Sequence, residues 1–244
     1  MKNLRIVISS LIIVIVSSYQ AINGQANEGT IITTERSDLE LLNRLRLEHN
    51  MKAREEVSYE RIEGDPFLYQ DFVPGALLLK TGESIPLNFR YDIFKGEIQF
   101  GKKDEIYALI NPESVSLVLI DSLRFIYAGY LKSPGDISSV ENSWFILKKD
   151  GKCKLLIRKN LRLQAAVPPK PYQEEGNPAK FIHTRDTYYI QPEGRNAVKI
   201  DNKKDLLNFL PDKKNELDKF IETNRLGTKD LDDLVKIVTF YNSL

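Results

Sequence analysis

The stretch WFILKKDGKCKLLIRK, residues 144–159, is the clearest β-hairpin in the sequence. Apolar residues alternate on both sides of Asp150-Gly151, and an Asp-Gly pair between two such runs predicts a two-residue type I′ turn. The register of that turn places five residues on one face: Trp144, Ile146, Cys153, Leu155 and Ile157. The other face is also partly apolar. We therefore expect a second layer to cover the hairpin at one end and solvent to reach it at the other.

A second hairpin is predicted in NFRYDIFKGEIQF, residues 88–100. A two-residue turn at Lys95-Gly96 would fix the pairing of the two strands. The predicted pairs are Ile93 with Ile98 and Tyr91 with Phe100. All four side chains then share one face, which we interpret as core rather than as an aromatic ligand platform.

Strand patterns run from residue 57 to residue 200, and amphipathic helix patterns follow from 201 to 244. Strands first and helices last predict an α+β domain with an antiparallel sheet of about eight to eleven strands. The C-terminal helices are expected either to cover the sheet or to engage a partner. A capping box at Ser37–Glu40 predicts one N-terminal helix, from about Asp38 to Arg54. The expected organisation is a lead-in and helix over 27–56 and a single α+β domain over 57–244.

The first 26 residues have the three parts of a secretory signal peptide. Lys2 and Arg5 precede an apolar run, Ile6–Val16, and Gly24-Gln25-Ala26 offers a small-x-small cleavage site. The run is short for a membrane span, and an uncleaved anchor is the rival interpretation. Because no cysteine lies near the cleavage site, a lipoprotein is not expected. We expect an exported protein with no membrane span after signal cleavage.

The charge balance bears on possible partners. The chain has 35 Lys and Arg and 34 Asp and Glu residues, and loss of Lys2 and Arg5 with the signal peptide leaves 33 basic against 34 acidic residues, a net charge of −1. Phosphate-backbone binding needs a net basic surface or stripe. Nucleic acid is therefore not an expected partner.

Patterns that carry catalysis or bind metals are scarce in the sequence. The two histidines, His49 and His183, and the single cysteine, Cys153, lie in none of the nucleophile motifs. Zinc, calcium and phosphate-loop motifs are likewise missing from the sequence. We therefore predict no catalytic residue, no metal site and no cofactor, and we interpret Cys153 as inert packing.

One long loop, AAVPPKPYQEEGNPAK at residues 165–180, interrupts the strand pattern. Its prolines favour an extended path, and loops of this length often carry function. A family-specific insertion is the alternative. Within the loop we select Tyr172 as the candidate residue for binding a ligand or partner.

Four stretches of the chain together resemble a family of uncharacterised exported proteins of Bacteroidota: GDPFLYQDFVPGALLLKTGE at 64–83, LNFRYDIFKGEIQF at 87–100, PAKFIHTRDTYYI at 178–190 and DKKNELDKFIETNRLGTKDLDDLVKIVTFYNSL at 212–244. The resemblance covers most of the chain after residue 26. It implies a location in the envelope of a Gram-negative bacterium: the periplasm, the periphery of the outer membrane or the cell surface. It implies no catalytic residues.

Three functional hypotheses follow. The favoured one is a non-enzymatic binding or structural module that docks on another envelope protein, and a filled core with an exposed apolar patch would support it. The second is a periplasmic carrier that holds an apolar ligand in a curved β-sheet, which requires a large apolar cavity. The third is a carboxylate-based hydrolase, which requires two acids that converge in a cleft with raised pKa. The sequence leaves the oligomeric state open.

Overall fold

Both hairpins belong to one large sheet in the computed structural model, which describes residues 51–54, 59, 62–102, 105–109, 112–132, 139–169, 171–172 and 176–244. These residues all lie in one unit, Asn50–Leu244. The described strands are β1 (Met51–Arg54), β2 (Ile62–Glu63), β3 (Val73–Leu79), β4 (Ser84–Asp92), β5 (Glu97–Lys102), β6 (Glu105–Leu109), β7 (Val115–Ile120), β8 (Leu123–Leu131), β9 (Val140–Lys149), β10 (Cys153–Gln164), β11 (Ala179–Pro192) and β12 (Val198–Lys199).

The strand order across the sheet is β1-β6-β5-β4-β3-β7-β8-β9-β10-β11-β12, and β2 pairs with β11. Consecutive strands along this path are antiparallel, whereas β2 runs parallel to β11. Three helices follow the strands: α1 (Lys203–Phe209), α2 (Lys214–Thr223) and α3 (Leu231–Ser243). The predicted α+β class, with an antiparallel sheet followed by C-terminal helices, is confirmed.

Strand β1 lies where the sequence predicts the end of the N-terminal helix. Residues 51–54 pair antiparallel with β6, with Met51 opposite Leu109 and Arg54 opposite Ile106. The helix prediction is therefore wrong for these four residues. A free strand edge offers a row of backbone donors and acceptors, and such tertiary pairing overrides a weak helix pattern. The rest of the predicted helix lies outside the described residues.

The hairpin of residues 88–100 has a four-residue turn rather than the predicted two-residue turn. Tyr91 pairs with Ile98, and Asp92 pairs with Glu97, so both predicted pairs are wrong. The wider turn is closed by the Asp92 carboxylate, which accepts a hydrogen bond from the Lys95 backbone N–H at 2.9 Å. Because the register differs by two residues and not by one, the side chains keep the faces that were predicted.

The turn at Asp150-Gly151 is not the predicted type I′ turn, which needs positive φ at both residues. Gly151 has a φ of +143°, and Asp150 has no positive φ. The side chain of Asn242 in α3 binds the turn instead. Its Oδ1 accepts from the Cys153 N–H at 2.8 Å, and its Nδ2 donates to the Cys153 carbonyl at 3.0 Å. A contact from the far end of the chain thus sets this turn, and no local pattern contains it.

The C-terminal helices cover the sheet, which is the first of the two roles expected for them. Their apolar stripes are buried against β10, β11 and β12, and each fully buried apolar side chain contributes about 1.5–3 kcal/mol. The shared cluster contains Cys153, Leu155, Ile190, Val198 and Ile200 before α1, and Leu206, Leu207, Leu210, Leu217, Ile221, Leu234, Ile237 and Val238 from α1 onward. Among the described residues, no helix has the length and apolar character that a membrane span requires.

The sheet curls between β8 and β12. The Leu131 N–H donates to the Ala197 carbonyl at 2.9 Å, and the Ala197 N–H donates to the Gly129 carbonyl at 2.8 Å, so the residue before β12 reaches back to β8. A cluster of buried side chains fills this curled part: Ile126, Ala128, Tyr130, Phe145, Leu147, Leu156, Tyr189 and Ala197.

We predict that Asn242→Ala lowers the free energy of unfolding by about 1–3 kcal/mol, because it leaves backbone groups of the hairpin turn without partners. Urea unfolding of the unmutated protein and of the Asn242→Ala variant measures this difference in the free energy of unfolding. Asn208→Ala is the matched control, since Asn208 is an exposed helix residue whose contact is a 3.4 Å hydrogen bond from Lys214. Equal stability of the Asn242 and Asn208 variants would contradict the role given to Asn242.

Candidate functional site

A cavity of about 420 Å³ lies where β9 and β10 separate. The two strands pair only between Lys149/Leu155 and Ile146/Ile157. Beyond this point, residues 140–145 pair with β8 and residues 158–164 pair with β11. The end of the β4–β5 hairpin and the side chains of β8 complete the cavity wall.

Arg158 is the central cation of the cavity wall. Its Nη1 donates to the Tyr130 hydroxyl at 2.9 Å, and a second hydrogen bond joins it to Tyr189. Burial acts to lower the pKa of the half-buried guanidinium, but these hydrogen bonds outweigh it and raise the pKa. Arg158 therefore stays fully charged while it is partly removed from water.

The one carboxylate in the cavity wall, Glu141, already has partners. Its Oε1 lies 2.6 Å from Lys132 Nζ, and its Oε2 accepts from the Tyr130 hydroxyl at 2.7 Å. The Lys132 and Tyr130 hydrogen bonds lower the pKa of Glu141. Tyr130 thus links Glu141 to Arg158 through its hydroxyl group, as acceptor from one side and donor to the other.

Tyrosine hydroxyls on the cavity wall remain protonated at neutral pH. Burial raises the pKa of Tyr91 to about 12, and burial is also the largest cause of the raised pKa of Tyr130 and Tyr127. These hydroxyls can donate hydrogen bonds, and they are poor general bases. The site is equipped to bind a polar group, and the described residues of its wall include no pair of acids with raised pKa.

This geometry bears on the two alternatives to docking. The curled part of the sheet is filled by its own side chains, and the cavity wall is mostly polar, which does not suit an apolar ligand. A hydrolase with two carboxylates needs a second acid in the cleft, and Glu141 is the one acid that the described residues contribute to this cavity wall.

The residues selected from the sequence are not brought together. Tyr172 is fully exposed in the loop after β10. Cys153 is buried beneath the helices, and His183 contacts the Asp65 carbonyl through Nε2 at 3.0 Å. His49 lies outside the described residues. Within those that are described, no group of three or more His, Cys, Asp or Glu side chains could hold a metal ion.

Sequence reasoning missed Arg158, although the sequence contains a signal. Both strands of the 144–159 hairpin change from apolar to polar at a similar distance from the Asp150-Gly151 turn: Glu141–Ser143 precede the apolar run of β9, and Arg158–Asn160 follow that of β10. Such a symmetric change indicates where a buried strand pair can open. Comparison with protein-family models, curated proteins and solved structures gives no match for this chain.

We predict that the thiol of Cys153 is unreactive in the folded protein. Its side chain is inaccessible, and burial raises its pKa from 9.0 to about 12. Because the folded state holds the proton more tightly, this group stabilises the fold below pH 9 and the contribution is lost as pH rises from about 9 to about 12. Labelling with a thiol reagent at pH 8 should be slow until urea unfolds the chain.

A chain with Cys153→Ala and Ser122→Cys supplies the control for labelling, because Ser122 lies in an exposed turn between β7 and β8. That thiol should react at once in the folded protein. Rapid labelling of native Cys153 at pH 8 would show that its pKa and burial are not as described.

Proposed function

We propose that this protein is an exported, non-enzymatic module of a Gram-negative envelope that docks on another envelope protein. The observation that carries the proposal is the β10–β11 arm, which we define as the described part of residues 160–184. It combines a hydrogen-bonded ladder with exposed apolar side chains, whereas the apolar faces of the C-terminal helices are buried against the sheet.

The β10–β11 arm has backbone pairing as far out as Val167 and Asn177. Asn160 pairs with Thr184 and Gln164 with Lys180. Farther out, Val167 and Asn177 exchange two backbone hydrogen bonds of 2.8 and 2.9 Å. A paired arm loses little conformational freedom when it binds, which favours affinity.

Exposed large apolar side chains concentrate on the arm. In the described part of the chain six such residues are exposed: Phe94, Val140, Leu163, Val167, Tyr172 and Leu244. Three of the six, Leu163, Val167 and Tyr172, belong to the β10–β11 arm. Their concentration on one element is typical of an interaction surface rather than of scattered exposed residues.

Tyr172 has the properties of an interface anchor. Its side chain is fully exposed, and its backbone has a φ of +74°. A left-handed conformation is uncommon for a residue other than glycine. Tyrosine is also among the residues that contribute most at protein interfaces. Its full exposure makes the aromatic ring available to a partner.

The envelope location is part of the same proposal. The signal-peptide pattern of residues 1–26 supports export, and the near-neutral chain gives no support for nucleic acid as a partner. We place the protein in the periplasm, at the outer-membrane periphery or on the cell surface.

We predict that a photo-reactive phenylalanine analogue at position 172 gives one discrete cross-linked protein when the chain is exported in its native host. The matched control carries the analogue at position 140, because Val140 is also an exposed apolar residue but lies off the arm. No product at position 172, or the same product at both positions, would overturn docking through the arm.

We further predict that Tyr172→Ala weakens recovery of this partner by at least about tenfold, as loss of an aromatic anchor does at many interfaces. The free energy of unfolding should change by less than about 0.5 kcal/mol, because the side chain has no intramolecular packing to lose. Val140→Ala is expected to leave recovery unchanged. Full recovery with Tyr172→Ala would exclude Tyr172 as the anchor.

A further inference from the structure

We infer that the cavity between β9 and β10 is a binding site for a small hydroxylated organic anion, one that carries a carboxylate or phosphate group, as sugar acids and sugar phosphates do. The inference does not rest on docking through the β10–β11 arm. It uses different residues and a different part of β10.

The charges of the cavity wall do not cancel. The wall contains three cationic side chains, Lys95, Arg158 and Lys159, against one carboxylate, Glu141. Lys159 Nζ pairs with Asp186 at 2.8 Å, and Glu141 pairs with Lys132 at 2.6 Å, so these two charges are neutralised from outside the cavity. Two cations remain, Lys95 and Arg158. Among the described residues neither has a carboxylate within ion-pair distance.

The geometry of Arg158 suits an oxyanion. A guanidinium has five N–H donors in a planar fork, and the hydrogen bonds to Tyr130 and Tyr189 engage only part of it. The rest of the fork matches the paired oxygens of a carboxylate or phosphate. Arg158 is half-buried and has no direct ion pair among the described residues, and Glu141 acts on it only through the Tyr130 hydroxyl and from a longer distance. A directly bound anion would offset the cost of burying the charge.

Lys95 offers a second positive charge on another wall of the cavity. Its ammonium lies 5.8 Å from the centre of the Tyr59 ring, a contact that orients the side chain without neutralising it. An anion in the cavity would therefore lie between cations supplied by the β4–β5 hairpin and by β10.

Neutral polar groups of the cavity wall indicate the chemistry of the uncharged part of the ligand. Asn142, Ser143 and the Tyr127 hydroxyl lie on the same wall, and they can exchange hydrogen bonds with ligand hydroxyl groups. A volume of about 420 Å³ falls within the range of small-molecule sites, about 300–1,000 Å³.

Titration at low ionic strength with four named probes tests the inference: glucuronate, glucose 6-phosphate, inorganic phosphate and acetate, with glucose as the neutral comparison. Isothermal calorimetry or the NMR shift of the Arg158 Nε–H should show saturable binding of glucuronate or glucose 6-phosphate, tighter than that of acetate and inorganic phosphate, and no binding of glucose. The inference is overturned if neither hydroxylated anion binds saturably, if acetate or inorganic phosphate binds as tightly as they do, or if glucose binds as well as glucuronate does.

Matched variants show whether the binding occurs in this cavity. Arg158→Gln should weaken the anion about ten- to a hundredfold, as loss of a charge-assisted hydrogen bond does. Arg162→Gln removes the same charge from an exposed position of β10 outside the cavity wall, and it should leave the affinity unchanged. Equal losses in the two variants would mean that only long-range charge attracts the anion.

Lys95→Gln keeps the test decisive if Arg158→Gln fails to fold. This variant should weaken the same anion without altering the Tyr130 and Tyr189 hydrogen bonds of Arg158, and unchanged affinity would overturn the site as described. Tyr172→Ala should bind the anion normally, so failure of the docking proposal and failure of the anion site are separable.

Discussion

The short ladder between β9 and β10 is the constraint on which the rest of the structure depends. Three pairs, from Lys149/Leu155 to Ile146/Ile157, join the two strands. Apolar side chains occupy both faces at this point, so the strands stay together only where a layer covers each face. The C-terminal helices cover one of these two faces, and the curled sheet encloses the other face. Where that cover stops, polar residues begin and the strands separate.

Both proposed binding features follow from this separation. β10 continues beyond its last pair with β9, where it pairs with β11 alone. Near the point of separation it supplies Arg158 to the cavity, and its far end leads to the loop that presents Tyr172. One long strand therefore carries a polar site near its middle and an apolar surface at its tip. The two features use opposite chemistry, and separate variants can test them.

Much of the fold could be predicted from the sequence because it depends on local periodicity. The α+β class, both hairpins and the faces of their side chains follow from alternation. The errors occur where a distant or side-chain contact decides the outcome. Asn242 sets the Asp150-Gly151 turn, the Asp92 carboxylate widens the other turn, and β6 pairs with residues that were expected to continue a helix.

The candidate site was harder to predict, since no motif describes it. Tyr172 could be selected because a proline-rich loop favours exposure, and the structure does expose it. Arg158 lies in a strand among lysines, and its importance depends on which charges have partners in three dimensions. Lys159 next to it is neutralised by Asp186, whereas Arg158 is bound by tyrosine hydroxyls. Sequence spacing does not distinguish these two residues.

Hydrogen exchange measured by mass spectrometry, on the purified chain and on the chain in its native envelope, tests docking through the β10–β11 arm most directly. We predict that the envelope adds protection to peptides from residues 160–184 and leaves α1, α2 and α3 as they are in the purified protein. Added protection over the helices, or none over residues 160–184, would contradict it.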